Sequence, residues 1–476
     1  MNSRINTLLL ATALLGTFFS GTATRIVSIS MPTVAISLGT DLVGISWALL
    51  AYQLSNIGLS IIFGRVADLW GREKVFALGF LIFALGSLSC GLSQSVIQLI
   101  LSRFVEGIGG SMIQSSSRAL AAESVPEELG GRAQGYMTTA HHTGFVLGPS
   151  IGGFMIDYFS WRWSFFFLVP IGLCGALLTV ANFPYRRAAF RRPNASIDYL
   201  GAALLVATTT TLVFIFDRRT HEIIGKSSKF GLAVLFLSCL AGLISHESRT
   251  KSPFVNFELF KIRRFTFSAL SLLIVAISYT LTGFLMPFYL QGILHLSPSV
   301  VGLLFMAPSI LTVALAPVSG YMTDRLGPRT PATLGAAIMV ASVSIGGFLR
   351  PDSHWPLPTL LIVLGACTNG MFNPANSMAM IGMMPREHRG FASSVNHVTF
   401  GLGNILGVAI GSTLMGAAFE HYTGLAGASL STDNPAAFVA ALNTTFLAAA
   451  VLSIGAVIAS AARGNERPSL AQAGSI

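Results

Sequence analysis

The chain has 476 residues, 53% of them hydrophobic and only 10% charged. Soluble domains carry roughly 25% charged residues, so this composition excludes an ordinary soluble enzyme, a disordered chain and a nucleic-acid-binding domain. The formal net charge of +10 does not mark a polyanion partner either, because Lys and Arg gather in the loops between apolar runs, as membrane topology requires.

A spanning helix needs about 20 apolar residues. The first run opens behind MNSR, as a signal peptide would, but its apolar character continues to about Leu38, so it is read as a retained span. In chain order, the apolar windows fall at 7–31, 43–64, 74–93, 97–119, 132–156, 163–184, 198–216, 229–246, 266–290, 300–322, 331–350, 357–381, 391–418 and 437–461. The windows at 198–216 and 229–246 are short. With the N-terminus inside, 21 of the 29 basic residues fall on inner segments and six on outer loops. Both termini are therefore expected in the cytoplasm, with the basic loop 217–229 as a local exception. Cys90, Cys174, Cys239 and Cys367 are scattered through apolar runs without metal or redox spacing, and read as small buried hydrophobes.

An internal repeat divides the chain. GRVADLWGR at 64–72 recurs as GYMTDRLGPR at 320–329, and Gly144, Gly148 and Gly152 recur as Gly403, Gly407 and Gly411. Gly131 matches Gly390, Pro126 matches Pro385, and Met31-Pro32 matches Met286-Pro287, all at offsets of 255 to 259. Six short-looped spans need fewer residues than this offset, and the excess has the length of 186–258. The expected fold is all-α: a six-helix half over 1–185, a two-helix insert over 186–258, a second six-helix half over 259–462 and a cytoplasmic tail over 463–476. Parallel half-repeats around a midplane site are a transporter plan.

At these residues the chain resembles the major facilitator superfamily. GRVADLWGREK at 64–74 resembles its loop motif, RFVEGIGG at 103–110 its fourth-helix motif, and GFVLGPSIGG at 144–153 the fifth-helix motif associated with antiporters. WRWSFFFLVPIG at 161–172 and PFYLQGILHLSP at 287–298 resemble the branch of drug:proton antiporters with fourteen spans. The resemblance implies proton-coupled efflux of small amphipathic compounds by alternating access. It departs from that branch in the first helix, ATRIVSISMP at 23–32, where Ala23 stands in the place of an acid and Arg25 near a usual Thr. In the fourth helix, Glu106 replaces the usual Gln. These departures weigh against efflux of cations and leave a second reading open: a dedicated exporter of an anionic metabolite or lipid-like compound, held by Arg25.

Residue roles follow. Gly64, Asp68, Gly71 and Arg72, with Asp324 in the repeat, are expected to latch the inner gate, a carboxylate pairing with arginine or a facing helix N-terminus. The stripes Gly144, Gly148 and Gly152 allow close helix approach, and Pro149, which the repeat lacks, bends its helix. By resemblance this stretch seals the cavity. Arg103 and Glu106 stand three apart on one helix. Glu106 lies about 14 Å in from the outer end of its span, and Arg25 about 8 Å in. Ionisable groups at such depth face a cavity or each other, so the three are expected to form one charge cluster, with Glu106 exchanging the proton. The alternative is a static pair that stabilises packing. His141 and His142 at mid-span can relay protons or simply join helices. Among mid-span polar residues, Tyr52, Gln114, Asn373 and Asn396 are the candidate substrate contacts.

The chain shows no GxSxG, HExxH or P-loop, so an enzyme and an ATP-driven pump are not expected. Neither is a metal or an organic cofactor; the proton gradient supplies the energy. The expected partners are a small-molecule substrate and the bilayer of the cell membrane, with no nucleic acid, and the expected working unit is a monomer.

Overall fold

In the computed structural model of this protein, the described residues are 7–125, 130–182, 199–216, 228–247, 260–382, 386–425, 430 and 432–464. They form fifteen α-helices: α1 (Thr7–Ser37), α2 (Leu42–Trp70), α3 (Arg72–Leu92), α4 (Val96–Glu123), α5 (Gly130–Tyr158), α6 (Trp163–Phe166), α7 (Leu168–Asn182), α8 (Tyr199–Phe216), α9 (Ser228–Glu247), α10 (Arg263–Phe288), α11 (Pro298–Leu326), α12 (Arg329–Gly346), α13 (Pro356–Ser377), α14 (Arg386–Thr423) and α15 (Pro435–Ala462). Ten of the helical stretches are long and apolar enough to cross a membrane.

A helix lies over each apolar window, but 163–184 carries two of them. Pro170 has no N–H to give the Phe166 carbonyl, so the helix breaks at Phe167 into α6 and α7. Prolines leave a second mark. The α10 helix widens into a π turn over Tyr289–Ile293 just after Pro287, and α13 does so over Met378–Gly382 just after Pro374.

Side-chain polarity is that of a protein in lipid. On α3, Leu78, Leu81, Leu85, Leu88 and Leu92 repeat at helical spacing and are all exposed, while Phe76, Phe80, Phe83, Ser87 and Cys90 on the other face are buried. The buried face carries the packing: Phe19 of α1 meets Phe83 edge-on with ring centroids 4.6 Å apart, and Phe76 meets Phe80 at 4.9 Å.

The chain forms two compact units. The first comprises 1–215, 227–240 and 290–306; the second comprises 216–226, 241–289 and 307–476. In the first, α1 packs on α5, and α4 packs on both α2 and α3. In the second, α10 packs on α14 and α15, and α12 on α13 and α15.

The repeated glycines explain the closest of these contacts. In the first unit a Cβ on Gly144 would lie 2.2 Å from the Phe18 carbonyl oxygen, one on Gly148 2.9 Å from that of Thr22, and one on Gly152 2.5 Å from that of Ile26. In the second unit Gly403 meets the Leu273 carbonyl, Gly407 that of Ile277, and Gly411 the Leu281 side chain. Each partner stands 255 residues after its counterpart. At all of these but Gly411, glycine is required because backbone touches backbone.

Candidate functional site

The α4 helix presents two stripes, and their neighbours differ. Arg103, Gly107, Gly110 and Gln114 recur at spacings of four, three and four, and face α2. A Cβ on Gly107 would sit 2.5 Å from the Tyr52 carbonyl oxygen, and one on Gly110 2.6 Å from Asn56 Nδ2. Glu106, Gly109 and Ile113 form a stripe about 100° round the helix and face α3. There a Cβ on Gly86 would be 2.6 Å from the Glu106 backbone nitrogen, and one on Gly109 2.3 Å from that of Phe83.

Arg103 and Glu106 bridge the two stripes. Arg103 Nη1 donates to Glu106 Oε2 at 2.6 Å, with side chains 1% and 0% exposed. Ser87 Oγ donates to Glu106 Oε1 at 2.8 Å, and the Cys90 thiol lies 3.5 Å from Oε2. Arg103 Nε donates to the Ala48 carbonyl at 3.3 Å. The guanidinium lies 4.1 Å above the Tyr52 ring and 5.9 Å from that of Phe165. A carboxylate and a guanidinium buried this fully are stable only as a pair with their remaining valences met, and here three helices meet them.

Arg25 is elsewhere. It is half-buried on α1, with its guanidinium 4.0 Å over the Phe145 ring of α5. The expected cluster of three charges around a cavity is therefore corrected: Arg103 and Glu106 close on each other inside the α2–α3–α4 packing, and Arg25 stacks on α5. A separation of three residues turns Glu106 toward α3 rather than α1, which spacing along one helix does not reveal. The position in the second unit that matches Arg25 and Phe145 holds Thr280, whose hydroxyl donates to Asn404 Oδ1 at 2.7 Å. His141 and His142 are half-buried on α5 with ring centroids 5.8 Å apart. The His141 backbone carbonyl abuts Gly21.

At the far ends of α2 and α4, Asp68 Oδ1 accepts from Arg72 Nε at 3.0 Å and Nη2 at 2.7 Å, and Arg72 Nη1 pairs with Glu123. Gly71 makes this turn at φ +104°, a conformation that side chains rarely adopt, and Gly327 makes the repeated turn at φ +79°. The repeated turn is not charged in the same way. Asp324 is exposed and takes part in none of the ion pairs found among the described residues, while the neighbouring Arg325 lies 4.5 Å over the Tyr321 ring. Gly64 makes only ordinary contact, its Cβ position 3.9 Å from that of Ser115.

At the other end of α5, Pro149 and Gly153 meet the start of α11 within the first unit. A Cβ on Gly302 would lie 2.4 Å from the Pro149 carbonyl oxygen, and one on Gly153 2.2 Å from that of Pro298. Asp157 accepts from the Ser299 backbone N–H at 2.9 Å and from its hydroxyl. Gln291 Nε2 donates to the Ile29 carbonyl at 2.9 Å. No local pattern in the sequence announces these contacts, nor the roles of Gly86, Ser87 and Cys90 beside Glu106; of the latter, the small residues of GSLSCG at 86–91 are the one visible trace.

The remaining candidates are dispersed. Tyr52 joins Arg103, and Gln114 lies on the same α4 stripe. In the second unit Asn373 donates to Asn369, and Asn396 donates to the Met380 sulfur at 3.4 Å. The four cysteines are free, and no group of side chains among the described residues could hold a metal ion.

The family model described as "Major Facilitator Superfamily" matches residues 13–275 and 268–474. The riboflavin transporter RibZ of Clostridioides difficile (strain 630) is 25% identical over 445 residues, covering 93% of this chain and 94% of that protein. A putative multidrug resistance protein, MdtD of Serratia proteamaculans (strain 568), is 28% identical over 423 residues, 88% of this chain and 86% of the relative. Among solved structures, an inward-facing, unoccupied bacterial homolog of the human lysosomal transporter Spinster matches with a TM-score of 0.69 at 15% identity, over 97% of this chain and 98% of that one. That likeness is one of fold alone.

Proposed function

The chain belongs to the Major Facilitator Superfamily, a family of transporters, and from that premise we propose that it exports small amphipathic compounds in exchange for protons by alternating access. The layout that goes with this reading is fourteen spans, two six-helix halves at 1–185 and 259–462 with a two-helix insert at 186–258, both termini in the cytoplasm, acting as a monomer and drawing only on the proton gradient. The relatives named for multidrug resistance support it.

The observation that carries the reading is the buried Arg103–Glu106 pair. Among the described residues, Glu106 is the one carboxylate far from both ends of its helix. A proton arriving at Oε2 replaces the Arg103 hydrogen bond with an O–H and neutralises the carboxylate. Arg103 is then a buried cation whose remaining partners are the Ala48 carbonyl and the Tyr52 and Phe165 rings. Such uncompensated burial is costly, so protonation drives α4 to rearrange against α2 and α3, and loss of the proton restores the pair. His141 and His142 offer a second, weaker route for the proton on α5. The test is transport by proteoliposomes under an imposed pH gradient, followed with an interior pH dye. Glu106→Gln should abolish substrate-dependent proton flux; intact coupling in that variant would remove Glu106 as the carrier.

A second reading has its own observation. The half-buried Arg25 guanidinium on Phe145 has the neutral Thr280–Asn404 pair as its counterpart, which favours a dedicated exporter of an anionic compound. The relative named as a riboflavin transporter supports a single metabolite as the cargo. Flux triggered only by anions and lost in Arg25→Ala would select this reading. Flux triggered by cations and indifferent to Arg25 would retire it.

A further inference from the structure

The Glu106 carboxylate takes a hydroxyl partner from another helix. Ser87 Oγ of α3 donates to Oε1 at 2.8 Å, with Ser87 wholly buried. A serine inside a helix can instead turn its hydroxyl back to its own backbone, to the carbonyl three or four residues earlier. Ser55 of α2 and Ser111 and Ser117 of α4 are as deeply buried and do so, at 2.9, 2.7 and 2.6 Å. Ser87 gives up that bond and reaches across to α4.

Charge accounts for the difference. A hydrogen bond to a carboxylate is roughly twice as strong as one to a neutral acceptor. Once Glu106 carries a proton, its oxygens are no better acceptors than the backbone of α3, and the reason for Ser87 to cross is gone. The second unit has a crossing serine of the fixed kind. Ser342 of α12 donates to the Leu361 carbonyl of α13 at 2.7 Å, and a backbone carbonyl does not titrate.

The other groups around Glu106 cannot do the same work. Arg103 sits on α4 itself, so its bond to Glu106 at 2.6 Å ties α4 to nothing else. The Cys90 thiol of α3 lies 3.5 Å from Oε2 and is a weak donor. On α2, Tyr52 offers its ring to the Arg103 guanidinium. On α1, Arg25 stacks on Phe145 of α5, and on α5 the His141 and His142 rings lie 5.8 Å apart. The strong bond from the carboxylate to α3 is therefore that of Ser87.

We propose that Ser87 is a positioning residue for proton coupling: its hydroxyl ties α3 to the charged Glu106 and lets go when that side chain is neutral. The proton bonds to Oε2 and displaces Arg103; the Ser87 hydroxyl leaves Oε1 and returns to a carbonyl of its own helix. Loss of the proton restores both bonds. This rests on Glu106 as the proton carrier in the reading above, and adds the route by which a proton on α4 is felt by α3.

The test is hydrogen–deuterium exchange of the purified full-length protein in detergent micelles, read on the α3 amides by mass spectrometry. Ser87→Ala should speed their exchange about tenfold, the equivalent of one bond to a charged group. Glu106→Gln holds the side chain neutral, so adding Ser87→Ala to that variant should change nothing further. Ser87→Thr keeps the hydroxyl and should exchange like the parent. Cys90→Ala, which removes the weak donor from the same carboxylate, should have far less effect than Ser87→Ala. An equal effect of Ser87→Ala in the parent and in Glu106→Gln, a Ser87→Thr protein that exchanges like Ser87→Ala, or an equal effect of Cys90→Ala would overturn the proposal and leave Ser87 as packing. The measurement uses neither substrate nor gradient, so it can fail while Glu106→Gln still abolishes proton flux, and the two failures are distinct.

Discussion

The α3–α4 contact of the first unit and the α12–α13 contact of the second solve one packing problem in opposite ways. At the level of Glu106 the glycine of the first unit is on α3: Gly86 lies against the Glu106 backbone. In the second unit the glycine is Gly365 of α13, and the residue facing it is Ser342 of α12, whose hydroxyl is 3.6 Å from the Gly365 Cβ position and donates to the Leu361 carbonyl at 2.7 Å. Both crossings hold further glycines, Gly79 and Gly109 in the first and Gly335 in the second, but at this level one small residue lies against the partner helix in each. Where that residue sits decides which helix can carry a functional side chain. With glycine on α3, α4 can bury a carboxylate and, three residues earlier, the Arg103 that neutralises it. With glycine on α13, a hydroxyl is all that fits, and the position of the arginine is taken by Ile362.

The comparison breaks most severely if the charge is left alone. Glu106→Leu leaves a buried guanidinium unpaired and should destabilise the protein by about 3–5 kcal/mol in thermal unfolding of detergent-solubilised protein. Arg103→Met combined with Glu106→Leu should recover most of that loss while transport stays dead. Grafting runs the other way: Gly365→Glu alone should fail to accumulate in membranes, and Ser342→Gly with Ile362→Arg should restore its expression, because the pair then has both its room and its partner. Next comes Gly86→Ser, which brings the second unit's residue into the first unit's glycine position. Overpacking of this kind costs about 1–3 kcal/mol and should appear as a lower melting temperature. Thr280→Val removes the hydroxyl bonded to Asn404 and should cost about 1 kcal/mol. The smallest effect belongs to the turns. The Asp68–Arg72 pair is about one-third exposed, so Asp68→Asn should cost at most about 1 kcal/mol, and Asp324→Asn nothing measurable. Equal effects of the two would mean that the ion pair is not what distinguishes the turns.

What the sequence made legible is set by what depends on one helix at a time. Apolar length located every helix, and the glycines at 144, 148 and 152 announced close crossings whose partners on α1 recur on α10. The break at Phe167 was not legible in the apolar pattern, because Pro170, which withdraws one bond, sits inside a continuous apolar run. What was not legible depends on which neighbour a face meets. Arg25, Arg103 and Glu106 have comparable depths, yet depth says nothing of azimuth, and the 60° between Arg103 and Glu106 sends one to α2 and the other to α3. Likewise Tyr52 and Asn56 are ordinary polar residues in sequence, and their nearness to the α4 backbone appears only when Gly110 lets α2 approach α4. The contacts of Gln291 and Ser299 join residues far apart in the chain, and no local pattern encodes them.

The thiol of Cys90, 3.5 Å from Glu106 Oε2, turns the carboxylate into something that can be watched. An S–H bond vibrates in a part of the infrared spectrum that other protein groups leave empty, and its frequency follows the strength of the acceptor it faces. A charged carboxylate and a neutral carboxylic acid are different acceptors. The protein thus carries its own vibrational reporter at the centre of its buried pair, and difference spectra on a pH jump can be assigned to that position by Cys90→Ser, without any label being introduced.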